Sequence, residues 1–146
     1  MKVLFGAFLL AFLCYGFFTW VLWPVKVMGD SMLPNFHDGE RWFINKLAYR
    51  SSRPERGDVV ALYAPNGDVY IKRVLGLPGE IITFPDGGVA INGRKLVEPY
   101  VDTVIPEGRG RAGVLGPDEY FVVGDNRATT VLGPVPFKDI IGKVLR

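Results

Sequence analysis

Asp58-Val59-Val60-Ala61-Leu62-Tyr63-Ala64-Pro65-Asn66-Gly67-Asp68-Val69-Tyr70-Ile71-Lys72-Arg73-Val74-Leu75 sets two runs rich in β-branched and aromatic residues on either side of Pro-Asn-Gly-Asp. Such side chains pack well on a pleated surface, and Asn-Gly supplies the positive φ of a tight turn, so the stretch reads as an antiparallel hairpin. The two-residue period places Tyr70, Lys72 and Val74 on one face and Ile71, Arg73 and Leu75 on the other. Further out, Ile81 to Phe84 and Val89 to Asn92 flank Pro85-Asp86-Gly87-Gly88 as a second hairpin. Another strand over Glu119 to Val123 precedes Gly124-Asp125, and Ile140 to Leu145 is expected to close the sheet. With 11 prolines, 18 glycines and little helical periodicity, the domain is expected to be all-β. Residues 102–117, rich in Gly, Pro and Arg, read as a mobile surface loop.

The N-terminus differs in kind. No residue from Val3 to Val25 is charged. A helix of that length measures roughly 34 Å, enough to cross about 30 Å of hydrocarbon. Trp20, Trp23 and Pro24 at its downstream end suit an interfacial aromatic belt and a helix stop. The run exceeds the roughly 7–15 residues of a cleavable signal's apolar region, and Leu13 before Cys14 is a poor lipoprotein site. The expectation is a single transmembrane anchor over residues 1–25 followed by a β-rich domain over 26–146. Lys2 favours a cytoplasmic N-terminus, whereas Lys26, Arg41 and Lys46 count against it.

Setting Lys2 aside from the formal +2 of the whole chain leaves a domain near +1 with interspersed signs, which argues against nucleic-acid binding. The one cysteine, Cys14, lies in the apolar run, so the domain has no disulfide. His37 without a second Cys or His leaves little from which to build a zinc site. Neither a metal nor a cofactor is expected.

Two residues carry the chemistry. Ser31 sits in Gly29-Asp30-Ser31-Met32-Leu33-Pro34, and Lys72 in the hairpin's second strand. The lone His37, in a turn-like stretch six residues after Ser31, makes a Ser-His-Asp triad poorly supported. A lysine amine takes a hydroxyl proton only when uncharged, and an exposed lysine is neutral in only about one molecule in 2,500 at pH 7. Apolar neighbours on its strand face would desolvate Lys72 and raise that fraction, while Arg73 points away. A lone strand lysine with its head in water is the bland alternative, and the serine motif argues against it.

The motifs lie in a recognisable order: the nucleophile segment, Gly39-Glu40-Arg41, Asn45-Lys46-Leu47-Ala48-Tyr49-Arg50, Arg56-Gly57-Asp58-Val59-Val60, Tyr70-Ile71-Lys72-Arg73-Val74-Leu75-Gly76-Leu77-Pro78-Gly79-Glu80, Ile91-Asn92-Gly93, and Tyr120-Phe121-Val122-Val123-Gly124-Asp125-Asn126-Arg127. On these residues nearly the whole chain resembles the bacterial type I signal peptidases, membrane enzymes that remove secretory signal peptides.

The resemblance implies a signal-peptidase-like β fold, with Ser31 as nucleophile, Lys72 as general base and the Ser31 amide as one oxyanion donor. Position 29, where some relatives carry a second hydroxyl donor, is glycine. Gly124 and Asp125 match a segment that packs beside the lysine. Thr130 occupies the place of a serine that orients it. The family's following Asp-Ser-Arg element is absent: Val131-Leu132-Gly133-Pro134 stands there, so either Arg127 and Asp125 brace the site or it is looser. Met32, Tyr70 and Ile71 are expected to line pockets for small residues one and three positions before the cut; for Ile71, core packing competes. Trp42 and Phe43 are candidates to meet the bilayer surface. The implied partners are signal-peptide-bearing preproteins and the lipid bilayer, with the domain outside the cytoplasm. Two alternatives stay open: a specialised serine-lysine processing protease with a dedicated partner, and a membrane-tethered β scaffold that binds without cutting.

Overall fold

Pro24 cannot continue a helix, because it lacks an N–H and its ring would meet the carbonyl of Trp20, and it disfavours helical backbone at Trp23 before it. In the computed structural model, which describes residues 2–130 and 132–145 (side chains for 5–130 and 133–145), the N-terminal helix α1 accordingly runs Lys2–Val21. It gives way at once to strand β1, Leu22–Lys26. The helix is thus shorter than the uncharged run read as one span over residues 3–25. Among the described residues no helix is long and apolar enough to cross a membrane. Val131 lies outside the described residues, as do the side chains of Lys2, Val3 and Leu132.

The rest is mainly β. Ten further strands follow: β2 (Arg41–Asn45), β3 (Val59–Tyr63), β4 (Val69–Gly76), β5 (Ile81–Thr83), β6 (Ala90–Ile91), β7 (Arg94–Lys95), β8 (Gly113–Val114), β9 (Glu119–Val123), β10 (Leu132–Pro136) and β11 (Ile140–Leu145). Seven of the strands form one sheet in the order β1-β2-β11-β3-β4-β9-β10, and a smaller sheet has the order β7-β6-β5-β8. The expected hairpin is β3–β4, paired antiparallel with Val60 opposite Lys72 and Leu62 opposite Tyr70. The second is β5–β6.

β11 forms at the residues expected and joins the two parts of the large sheet from inside, between β2 and β3. Two placements differ from the sequence reading. β10 holds Pro134 and Pro136 and sits at an edge, where a missing N–H leaves no ladder bond unmade. The segment 102–117 contributes Gly113–Val114, paired with β5.

Both faces of β4 are covered, which is what buries its lysine. Val74 packs with Val60, Leu62, Tyr120 and Val122. Ile71 belongs to a cluster with Val27, Met32, Phe36, Ile44 and Ala61 that ties the nucleophile segment to the large sheet. Leu75 joins Ile82, Val89 and Phe121 in a third cluster under the small sheet.

Candidate active site

The segment after β1 is built as a loop clamped at its base. Val27 N donates to Glu40 O (2.8 Å) and Gly39 N to Val27 O (2.9 Å), so residues 28–38 return close to where they left. Gly29 turns the chain with φ +82°, a left-handed conformation that costs glycine little, and its N–H donates to Asp38 Oδ1 (2.8 Å). Within the loop Leu33, Asn35 and Phe36 donate back to Asp30 and Met32 carbonyls, giving a compact turn with Ser31 half-buried at its start. The buried Met32 and Phe36 anchor it from below.

Ser31 Oγ lies 2.8 Å from Lys72 Nζ, and the amine also donates to the Ile71 carbonyl at 3.1 Å. Lys72 is only 7% exposed. Its pKa falls to about 8, because burial disfavours the ammonium and outweighs the opposing pull of Asp125. That pull is blunted, since the fully buried Asp125 accepts two bonds from Arg73 (Nε 2.8 Å, Nη2 2.7 Å) and one from Asn35 Nδ2 (2.9 Å). Arg73 leaves the Lys72 face as its strand position dictates, and its guanidinium stacks 4.2 Å over the Tyr100 ring. Lys72 Nζ itself lies 5.4 Å from the Tyr70 ring centroid.

A second layer holds these groups. Asn126 N donates to Ser31 O (3.0 Å) and Asn126 Nδ2 to Asp30 O (3.2 Å). Gly124 N donates to the buried Thr130 Oγ1 (2.8 Å). A Cβ on Gly124 would collide with the Ser31 carbonyl oxygen and the Thr130 hydroxyl, so glycine is what lets these segments touch. Arg127, 1% exposed, donates from Nε to Gly124 O (3.1 Å) and from both terminal nitrogens to Glu98 (2.8 and 2.6 Å). Glu98 was not among the residues read from sequence; its only local signal is the run Glu98-Pro99-Tyr100.

A cleft of about 490 Å³ opens at Ser31, walled by Val25 to Gly29 on one side and Asp68 to Lys72 on the other, with Met32 in its lining. Met32, Tyr70 and Ile71 all border it, and Met32 and Ile71 are also core residues. A second cavity of about 560 Å³ also meets Lys72 and Tyr70, against Leu62, Val122 and Val135, with no serine in its wall. His37 is exposed and its ring meets Glu40 at 3.1 Å. Trp42 packs edge-on against Phe36, whereas Phe43 is exposed. The Ser31 amide donates no hydrogen bond among the described residues. Among those residues no cluster of His, Cys, Asp or Glu is set to hold a metal ion.

A hydroxyl against a buried, partly neutral amine at the end of a strand-walled cleft can transfer an acyl group. Comparison with known proteins points the same way. Residues 1–146 match the family described as "Signal peptidase, peptidase S26". The chain is 38% identical over 137 residues to Signal peptidase I of Bacillus amyloliquefaciens, covering 82% of this chain and 69% of that protein. It is 30% identical over 159 residues to Signal peptidase IB of Staphylococcus aureus, covering 94% and 82%. The crystal structure of a signal peptidase I from Enterococcus faecalis V583 resembles it with a TM-score of 0.53 and 27% identity, over 63% of this chain and 97% of that one.

Proposed function

The chain belongs to the signal peptidase family, peptidase S26, whose members are serine endopeptidases, and on that premise we propose that it removes signal peptides with Ser31 as nucleophile and Lys72 as base. The carrying observation is the 2.8 Å contact between Ser31 Oγ and a lysine amine shifted to about 8. At pH 7 roughly a tenth of such amines are neutral, hundreds of times more than for an exposed lysine.

In the first step the neutral Nζ takes the hydroxyl proton as Oγ bonds to the scissile carbonyl carbon. The oxyanion is met by the Ser31 N–H, a donor whose loss typically costs about 3 kcal/mol of barrier. The ammonium of Lys72 then returns its proton to the departing amine, the C–N bond breaks, and an acyl ester on Ser31 remains. Water, losing a proton to the same amine, attacks the ester; the lysine gives that proton to Oγ as the acid leaves. Thr130, Gly124 and Asp125 support this pair through the contacts given above.

The precursor lies extended in the Ser31 cleft, with Met32, Tyr70 and Ile71 limiting the side chains one and three residues before the cut to small groups. The cavity lined by Leu62, Val122 and Val135 does not serve this role, because the nucleophile does not border it. The N-terminal segment anchors the enzyme in the cell membrane, with the β domain on the extracytoplasmic side. Support comes from the uncharged run 3–25 and from the exposed Trp20 and Trp23 where α1 ends.

The test is cleavage of a precursor with an Ala-x-Ala site by the full chain in lipid, beside Ser31→Ala and Lys72→Ala. Cleavage by the parent, its loss in both variants, and an acyl adduct on Ser31 by mass spectrometry are expected. Turnover that survives Ser31→Ala overturns the proposal. Cleavage of one dedicated partner alone points instead to a specialised processor.

A further inference from the structure

The end of α1 abuts a depression that the proteolytic chemistry does not use. It has a volume of about 530 Å³, and its lining includes Trp20, Lys46, Arg50, Lys138, Phe137 and Ile140, with no Asp or Glu. Lys46 and Arg50 come from the turns after β2, and Lys138 from the turn between β10 and β11. All three are exposed, and none makes an ion pair among the described residues. Their neighbours differ: Arg53 pairs with Asp118, and Lys143 with Asp58. Three like charges gathered at one hollow repel one another and gain only when an anion joins them.

Location says which anion. Lys46 N donates to the carbonyl of Val21 (3.0 Å), the last residue of α1, so the cations are fixed at the helix terminus. Trp20, 56% exposed, lines the same hollow, and its indole N–H makes no hydrogen bond among the described residues. Phe43, on β2 between Pro24 of β1 and Leu145 of β11, is exposed on the sheet face and lines a hollow with Tyr15 and Phe18 of α1. Cations, an indole and exposed apolar side chains at the mouth of an apolar helix match the boundary between acyl chains and phosphates.

We infer that Lys46, Arg50 and Lys138 form a binding site for the phosphate of an anionic phospholipid headgroup, with Trp20 donating to it and the acyl chains running beside α1. The headgroup is one that adds no positive charge of its own, as in phosphatidylglycerol. A choline headgroup would return a cation to the hollow. This site rests on the proposed anchoring by α1.

The test uses the full chain and its Lys46→Gln/Arg50→Gln/Lys138→Gln variant, released from detergent into native mass spectrometry with phosphatidylglycerol or phosphatidylcholine added. An adduct selective for phosphatidylglycerol, reduced by the triple substitution at least about tenfold with an unchanged thermal midpoint, supports the site; the charge effect near a membrane is on the order of fivefold per cation. Equal retention of the two lipids, or full retention by the variant, overturns it. So does displacement of the lipid by free glycerol 3-phosphate at equal concentration, which would mark a soluble-phosphate site. Alkaline carbonate extraction of the membranes separates the two ideas. A chain that resists extraction yet shows no selectivity refutes the site alone, and one that washes out refutes the anchor and the site with it. A Ser31→Ala chain that keeps the adduct shows that the site does not depend on cleavage.

Discussion

Glu98 grips Arg127 through two hydrogen bonds, 2.6 and 2.8 Å long, and Arg127 passes that grip to the carbonyl of Gly124, a residue whose bare Cα leaves room for the Ser31 carbonyl oxygen. Together with Arg73–Asp125 this gives the site two arginine-carboxylate clamps, each with one partner fully buried.

Glu98→Gln keeps the shape and removes the charge, leaving the Arg127 guanidinium buried without its anion. Breaking such a pair typically costs about 3–5 kcal/mol, so a lowered denaturant midpoint is expected. Small displacements at a reacting centre are costly, and kcat for precursor cleavage is expected to fall about tenfold or more with KM little changed. A variant with parental midpoint and kcat would show the clamp to be idle.

The pH profile follows from Lys72. In the proposed mechanism its neutral form is the base, so kcat/KM should rise with pH through an apparent pKa near 8, the value to which burial lowers it. Tyr70→Ala opens the partition beside the amine to water, and the limb should move upward toward the ordinary lysine value. A rate profile flat from pH 6 to 9 would contradict the assignment.

Lys72→Met should abolish cleavage and stabilise the fold. The shift from 10.5 to about 8 means that the unfolded chain holds the proton more tightly, which costs the native state about 3 kcal/mol below pH 8. The cost fades as pH climbs from about 8 to 10.5, so the variant's advantage in urea unfolding should be largest at neutral pH and shrink across that window. An advantage that grows with pH would have the wrong sign.

Gly124→Ala forces a methyl into the Ser31 carbonyl and the Thr130 hydroxyl, at an expected cost of about 1–3 kcal/mol. Thr130→Ser keeps the acceptor for Gly124 N, while Thr130→Val leaves that buried N–H unmet, at about 1–3 kcal/mol. Thermal unfolding and precursor cleavage should rank the parent and Thr130→Ser above Thr130→Val and Gly124→Ala.

How much of this was legible in the chain depends on range. The β3–β4 hairpin is a local pattern, with alternation on both sides of Asn66-Gly67, and it appears in the structure at nearly the residues expected. β1 was hidden because hydropathy cannot tell the apolar tail of a helix from an apolar strand; its pairing with Arg41–Asn45 separates them. β10 was hidden by its prolines, which exclude a central strand but not an edge. Ser31 and Lys72 were legible as a pair, and the structure sets them 2.8 Å apart. Glu98 was not, because a lone loop carboxylate acquires meaning only from an arginine that folding brings to it.

α1 hands over to β1 with no intervening linker, Val21 being followed directly by Leu22 in the sheet, and the serine loop springs from the far end of that same strand. Were the helix to sit in the bilayer as proposed, the reactive hydroxyl would have no free linker on which to swing. It would then stand at a constant height above the point where the chain leaves the lipid. On the proposed anchoring the enzyme would measure as well as cut: a precursor would be severed at the residue whose distance from its own membrane exit equals that height, and inserting residues into the Val21–Leu22 junction should move the preferred cut.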